Sequence, residues 1–187
     1  GRRMAQRAIR DGKSLTYETY CQYGEWVNTE EVKAQGLGNQ SETTSLSPDF
    51  QIHIHVCPWH TQFKNMGLPE AGLLYCKDLD ASISRGFNPD IRYEVPQTLH
   101  THDHCVQIVR NAGLTPEKKI EKYMPGVRSF EYHCAHTFWS LREVSEGIFG
   151  DEGVKASDAV LEDFAKEYGR EMADTIADYK DTNFNMA

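Results

Sequence analysis

The sequence predicts an α+β fold, in which a small antiparallel sheet is covered by amphipathic helices within one domain of 187 residues. Residues 50–57, 91–95 and 103–110 alternate apolar and polar side chains with period two, as half-buried strands do. Longer segments on both sides of them carry apolar side chains at helical spacing. The link between the second and third strand is short, which favours an antiparallel pair.

Residues 4–35 are predicted to be helical, in two pieces separated near Gly12. Ser14 is placed to cap the second piece. Four aromatic side chains recur at three-residue steps and predict a face that packs against the sheet: Tyr17, Tyr20, Tyr23 and Trp26. The following residues, 39–48, are rich in Ser and Thr and are predicted to form a polar loop.

The first strand, residues 50–57, has an apolar face and a face that carries possible ligands. The second of these faces consists of Gln51, His53, His55 and Cys57. Pro58 ends the strand, because proline has no backbone N–H to donate. Pro69 begins the next helix, on which Cys76 and Asp80 are four residues apart and therefore share a face.

A turn at Asn88-Pro89 leads to the other two strands. In the last strand, alternation places Cys105 and Gln107 on the face opposite to His104. The expected fold therefore has one sheet, with reactive side chains on both of its faces.

The helical C-terminal part is predicted to cover residues 116–182, within a single domain that spans residues 1–187. It contains a short helix that begins at Pro116 and a longer helix over residues 127–148. After a turn, Ser157 caps a last helix that extends to residue 180. The helices over residues 127–148 and 157–180, together with the Tyr-rich helix over residues 14–35, are expected to cover one face of the sheet.

Composition argues against two classes of partner. The net charge is −8 and no basic stripe is present, which argues against nucleic acid. No apolar run approaches the roughly 18 residues of a membrane span, so no membrane partner is expected. The five cysteines are odd in number and lack the spacing of a disulfide framework, which predicts reduced thiols in a cytoplasmic protein.

Residues 50–112 contain six of the eight histidines and three of the five cysteines. Such a concentration of reactive side chains indicates a functional site. His53 and His55, on one strand face, could supply two metal ligands, but spacings such as Cys57-x-x-His60 are not those of standard zinc sites. We therefore predict no bound metal and no cofactor.

Several short motifs follow one another in this stretch: Cys57 after an apolar run, Gly72, Tyr75-Cys76, Asp80, Gly86-Phe87-Asn88-Pro89, Thr98 and His104-Cys105. In their order and spacing, residues 50–112 resemble the L-2-amino-thiazoline-4-carboxylic acid hydrolase family. The sequence departs from the family pattern directly before His104-Cys105, where His102-Asp103 replaces a glycine and a small residue. This change makes the edge of the expected pocket more polar and makes a different substrate plausible.

The resemblance implies a hydrolase that opens a small sulfur heterocycle at a non-peptide C–N bond and gives a carbamoyl-cysteine. Water or a thiol would attack the ring carbon between nitrogen and sulfur. The catalytic candidates are His104 as the base, Cys57 or Cys76 as the nucleophile, and Asp80 as the group that orients the base. The candidates for substrate binding are Asn88, Arg92, His102 and Cys105.

Three alternatives to an enzyme with reactive thiols stay open. A lone buried cysteine is more often inert packing than a nucleophile. The same pocket could belong to a non-catalytic domain that binds or senses a small molecule. The chain could also be a partner subunit or a homo-oligomer, with the Tyr-rich first helix and the last helix forming the interface. Turnover of a cyclic amidine would distinguish the enzyme from the others.

Overall fold

The computed structural model describes residues 1–117 and 119–187, which form two compact units. Residues 1–127 with 186–187 form the first unit, and residues 128–185 form the second. The single domain over residues 1–187 stays a prediction. Within the described residues, no helix has the length and apolar character needed to cross a membrane.

The helices of the first unit are α1 (Arg2–Arg10), α2 (Tyr17–Tyr23), α3 (Glu30–Ala34), α4 (Pro58–Asn65) and α5 (Pro69–Phe87), with a short 3-10 turn at Met124–Gly126. Its strands are β1 (Gln40–Ser45), β2 (Phe50–Val56), β3 (Tyr93–Gln97) and β4 (Cys105–Val109). The second unit contains α6 (Phe130–Phe149), α7 (Asp151–Tyr168) and α8 (Arg170–Ala177).

The four strands form one sheet in the order β1-β2-β4-β3, and every neighbouring pair is antiparallel. This sheet and its helices confirm the predicted α+β class. The three predicted strands lie side by side in it. β3 begins two residues later than predicted and includes Pro96, which lies at an irregularity of its pairing with β4. Proline is tolerated there because β3 is an edge strand.

The prediction of a loop over residues 39–48 is wrong, because this segment contains β1. Residues 40–44 are all exposed, so the strand has no apolar alternation by which sequence could reveal it. It is held at the edge of the sheet by backbone pairing with β2, in a register that places Glu42 opposite His53. A polar edge strand of this kind does not need a buried side chain to form.

One face of the sheet packs in the core of the first unit. The Tyr17 ring of α2 lies 5.6 Å from the Phe50 ring and 6.5 Å from the Tyr93 ring, as measured between centroids. Val109 on the same face is 1% exposed. The prediction that the Tyr-rich helix packs on the sheet is therefore confirmed for α2. That the helices of the second unit also cover a face of the sheet stays a prediction.

The first helical region is divided more finely than predicted. Thr16 rather than Ser14 caps α2, since its Oγ1 accepts a hydrogen bond from the Thr19 N–H at 3.2 Å. The helix ends at Tyr23, so Trp26 does not continue the aromatic stripe. A new helix begins after Thr29. The predicted short helix at Pro116 includes Lys118, which lies outside the described residues.

The second unit has two helices where one was predicted after residue 157. Gly150, at φ 59°, forms the corner after α6, and α7 begins immediately behind it. Gly153 fits this corner because a Cβ there would lie 2.1 Å from the Ser145 carbonyl oxygen. Ser157 is therefore inside α7 and donates to the Gly153 carbonyl at 2.9 Å rather than capping a helix. Gly169 separates α7 from α8.

A buried ion cluster joins α1 to the segment after α2. Arg3 forms two hydrogen bonds with Glu25, at 3.0 and 2.5 Å, and Arg7 donates to the same carboxylate. All three side chains are buried: Arg3 is 8% exposed, Arg7 4% and Glu25 7%. Burial raises the pKa of Glu25, but the hydrogen bonds from both arginines outweigh it and lower this pKa to about 2.

Candidate active site

The candidate site lies where α5 packs on the core face of the sheet. Gln107 of β4 donates a hydrogen bond from Nε2 to Oδ2 of Asp80 at 2.8 Å. Tyr93 of β3 donates from its hydroxyl to Oε1 of the same Gln107 at 2.6 Å. Strand alternation points Gln107 towards α5, and both polar ends of its amide are occupied. The chain of hydrogen bonds therefore fixes the orientation of Asp80.

The surroundings of Asp80 favour its neutral form. Burial raises the pKa of the carboxyl group, and the hydrogen bond from Gln107 opposes this only in part. Burial, together with the nearby Asp80, also raises the pKa values of Tyr17, Tyr20 and Tyr93. The phenols therefore stay protonated at neutral pH. A carboxyl group with a raised pKa among neutral donors is a typical acid–base candidate.

Two thiols, Cys76 and Cys105, lie close to Asp80, and a third, Cys57, lies near both of them. Burial raises the pKa of Cys76 to about 11, with further contributions from Cys57 and then Asp80. Burial also raises the pKa of Cys105 to about 12, with contributions from Asp80, Cys57 and Cys76. Because a thiolate is the nucleophilic form of cysteine, these two side chains are unsuited to attack at neutral pH. They line the site as small apolar groups with weak S–H donors.

Cys57 has a different position from the other two thiols. It is the last residue before α4, and its side chain makes no capping hydrogen bond. The backbone N–H groups in the first turn of a helix have no partner within the helix and can stabilise negative charge. Cys57 is therefore the thiol best placed beside a charge-stabilising element.

The structure does not bring His104 into this site. Cys105 pairs with Ile54, and Val106 pairs with His53, so His104 lies on the same face as His53. Its ring centroid is 4.6 Å from that of His53, and its Nδ1 is 2.6 Å from Oδ1 of Asp103. The prediction that His104 shares a pocket with Asp80 is wrong, because the sheet separates the two side chains. Successive residues on a strand point to opposite faces, and Cys105 occupies the position that faces α5.

Of the four predicted substrate-binding residues, Cys105 lies in the site. Asn88 forms its hydrogen bonds elsewhere: its Nδ2 donates to the Leu15 carbonyl at 2.8 Å, and its Oδ1 accepts from the Asp90 backbone N–H. Arg92 is exposed and directly precedes Tyr93, so its side chain points away from that residue. His102 is exposed in the loop before β4, where its Nδ1 lies 2.8 Å from Thr101 Oγ1.

Aromatic side chains border the site beside Cys57 and Cys76. The Trp59 indole donates to the Tyr75 hydroxyl at 3.3 Å, and the Phe63 ring lies 5.6 Å from the Tyr75 ring. Gly72 on α5 leaves room for His100, because a Cβ there would lie 2.3 Å from the His100 Cε1 atom. The glycine of the sequence motif therefore allows the loop before β4 to approach α5.

Gln107 and Tyr93 are the functional candidates that the sequence interpretation missed. The signal for Gln107 was present, because it shares a strand face with Cys105. Tyr93 is linked to Asp80 by its hydrogen bond to Gln107, which comes from another strand, so its role requires the tertiary structure. A groove lined by residues 43–47 and 114–117 contains none of these side chains.

Comparison with known proteins supports the interpretation of this segment. No curated protein matches the chain, and no solved structure matches it. The sequence profile of the L-2-amino-thiazoline-4-carboxylic acid hydrolase family matches residues 1–108. The match is longer than the resemblance over residues 50–112, since it includes α1 and α2, and it ends within β4. It covers more than half of the 187 residues, and the chain therefore belongs to the L-2-amino-thiazoline-4-carboxylic acid hydrolase family.

Proposed function

We propose that the protein hydrolyses a small cyclic amidine that contains sulfur, with Asp80 as the acid–base group. The observation that carries this proposal is the half-buried Asp80 carboxyl group, which has a raised pKa and a hydrogen bond from Gln107. It lies in the part of the chain that the family profile covers. 2-Amino-thiazoline-4-carboxylate represents the substrate class, as the family name implies.

In the proposed reaction, ionised Asp80 removes a proton from a water molecule. At the same time the water oxygen forms a bond to the ring carbon between nitrogen and sulfur. The carbon becomes tetrahedral, and the proton held by Asp80 is then delivered to the leaving atom. Cleavage of the ring C–N bond gives a free amine and an S-carbamoyl product. Cleavage of the C–S bond instead gives a free thiol and an N-carbamoyl product. We favour the C–N bond.

The neighbours of Asp80 would have supporting roles in this reaction. Gln107 and Tyr93 hold the carboxylate in one orientation. Cys76 and Cys105, as neutral thiols, form an apolar wall that suits a sulfur-containing ring. Cys57 lies at the start of α4, where backbone N–H groups can stabilise charge that develops on the substrate.

The direct test is the rate of ring opening by wild type and by Asp80→Asn. Loss of a general base is expected to reduce kcat by a factor of roughly 10²–10⁴. Asp78→Asn is the matched control, because Asp78 is exposed on the same helix and should keep the wild-type rate. Equal rates for Asp80→Asn and wild type would remove Asp80 from the mechanism.

The products identify the bond that breaks. A thiol reagent in a multiple-turnover assay would detect C–S cleavage, and an amine reagent would detect C–N cleavage. Cys57→Ser distinguishes water attack from attack by a thiol. A variant that still turns over excludes a covalent intermediate at Cys57, whereas trapping of a carbamoyl adduct on Cys57 in wild type would contradict direct attack by water.

The second candidate is a domain that binds the same class of ligand without turnover. The raised pKa of Cys76 favours it, because this shift makes one of the two predicted nucleophiles, Cys57 and Cys76, unreactive at neutral pH. A ligand-induced increase in Tm without product in wild type would support this candidate over the hydrolase.

A further inference from the structure

The face of the sheet opposite to Asp80 carries a second cluster of reactive side chains. The register places Glu42 of β1 directly across from His53 of β2. His55, two residues further along β2, projects from the same face, and His104 is at the next position of the register beyond Cys105. Three histidines and one carboxylate therefore occupy adjacent positions on one face, through backbone pairing of separate segments.

We propose that Glu42, His53, His55 and His104 bind a divalent transition-metal ion of the zinc type. Imidazole nitrogens and a carboxylate oxygen are ligands that zinc accepts, usually in a tetrahedral arrangement. The proposal concerns the face of the sheet away from Asp80 and does not depend on the proposed hydrolase function.

One donor pair is already at the separation that a shared ion requires, and a second pair is about 0.5 Å too far apart. Ligand atoms about 2.0–2.1 Å from a tetrahedral zinc are about 3.2–3.4 Å from one another. Nε2 of His55 is 3.4 Å from Oε1 of Glu42, and Nδ1 of His53 is 3.9 Å from the same oxygen. The centroid of the His104 ring lies 4.6 Å from that of His53 and 5.7 Å from that of His55. Two rings bound to one tetrahedral ion have centroids about 5 Å apart.

Two of the histidine rings, His53 and His104, already have a hydrogen-bond partner at one ring nitrogen, which leaves the other nitrogen for a metal ion. Metal-binding histidines commonly donate their other ring N–H to a carboxylate or carbonyl, which fixes the tautomer. Nδ1 of His104 lies 2.6 Å from Asp103 Oδ1, which leaves Nε2 available to an ion. Nε2 of His53 lies 3.0 Å from the Gln51 side-chain amide. Rotation of that amide places its carbonyl oxygen there and leaves Nδ1 of His53, the atom nearest Glu42, available.

The donor atoms do not yet converge on a single point. Among the described residues, no group of three His, Cys, Asp or Glu side chains is arranged to hold a metal ion as it stands. Only side-chain rotation is required, because the backbone register already makes the four residues neighbours. Glu42 and His55 are free to make this adjustment, since their side chains are 61% and 49% exposed. The sequence identified His53 and His55 as possible ligands, but its irregular ligand spacings predicted no bound metal. Glu42 and His104 come from separate segments of the chain, and strand pairing brings them next to β2.

The test is equilibrium dialysis of the metal-free protein against Zn²⁺, followed by metal analysis. We expect one equivalent per chain. Asp103→Asn removes a residue that is hydrogen-bonded to a ligand and should weaken zinc binding by roughly 10-fold. His53→Gln and His104→Gln remove ligands themselves and should each weaken it by at least roughly 10–100-fold. Far-UV circular dichroism of each metal-free variant establishes that the variant is folded. A zinc-dependent increase in Tm that His53→Gln abolishes would support the same site.

Two controls make the result specific. His102→Gln removes an exposed histidine two residues from His104 and should leave zinc binding unchanged. Replacement of Cys57, Cys76 and Cys105 by serine should also leave it unchanged. The proposal is overturned if the protein binds less than half an equivalent, if folded His53→Gln and His104→Gln bind as wild type does, or if the serine variant loses the zinc.

Discussion

The ion cluster around Glu25 gives a prediction about stability whose size follows from the structure. Its pKa of about 2 lies some 2.5 pH units below the value of 4.5 for an ordinary glutamate. Each unit corresponds to about 1.4 kcal/mol, so the ionised Glu25 contributes about 3 kcal/mol to the free energy of unfolding. Because the folded-state pKa is depressed, this contribution is complete above about pH 4.5 and is lost as the pH falls through 2.

Glu25→Gln removes the charge while keeping the size of the side chain. At pH 7 the free energy of unfolding should fall by about 3–5 kcal/mol, because the buried Arg3 and Arg7 lose their ion pairs with the Glu25 carboxylate. Below pH 4.5 the difference between wild type and the variant should become smaller, since wild-type Glu25 also becomes neutral.

Urea denaturation at several pH values between 2 and 7, followed by circular dichroism, measures this difference. Glu30→Gln is the control, because Glu30 pairs with Lys33 on the surface and its side chain is 85% exposed. The control should follow the wild-type curve. If the wild-type and Glu25→Gln curves remain parallel from pH 5 to pH 2, the buried ion cluster does not lower the pKa of Glu25 and the reasoning is refuted.

Three further predictions concern other parts of the molecule. Gly153→Ala should destabilise the second unit by about 1–3 kcal/mol, because its Cβ would meet the Ser145 carbonyl, whereas Gly147→Ala meets nothing within 4 Å and should be neutral or stabilising in thermal unfolding. When kcat/KM is measured against pH, its acid limb should have a midpoint above the ordinary aspartate pKa of about 3.9, because Asp80 must be ionised to act as a base. A midpoint at or below that value would contradict the raised pKa. Asp80→Asn should not lower the Tm at pH 7. The folded-state pKa of Asp80 is raised, so the carboxyl group stabilises the fold at low pH and loses that contribution as the pH rises through this pKa. A clear drop in Tm would assign Asp80 a structural role.

The sequence by itself determined most of the sheet and part of the candidate site. Period-two alternation identified β2 and β4 and assigned their residues to the correct faces, because a strand with one buried face must alternate. The spacing of Cys76 and Asp80 placed both on one helix face for an equally local reason. These features depend on the geometry of a single element.

Only the tertiary structure decided which face of the sheet α5 covers. That choice assigns Cys105 and Gln107 to Asp80, and leaves His104 with His53 on the opposite face. It cannot be derived from alternation, since Val109 on one face of β4 and Val106 and Ile108 on the other are all apolar.

The edge strand and the buried ion cluster also required the tertiary structure. β1 has five exposed residues and is held by backbone pairing, which leaves no pattern in its side chains. Arg3, Arg7 and Glu25 resemble ordinary surface charges in the sequence. Their pairing requires α1 to be packed against the segment that follows α2, which makes the carboxylate the buried partner of two arginines. Burial of a charge is a property of the assembled fold, and no local pattern specifies it.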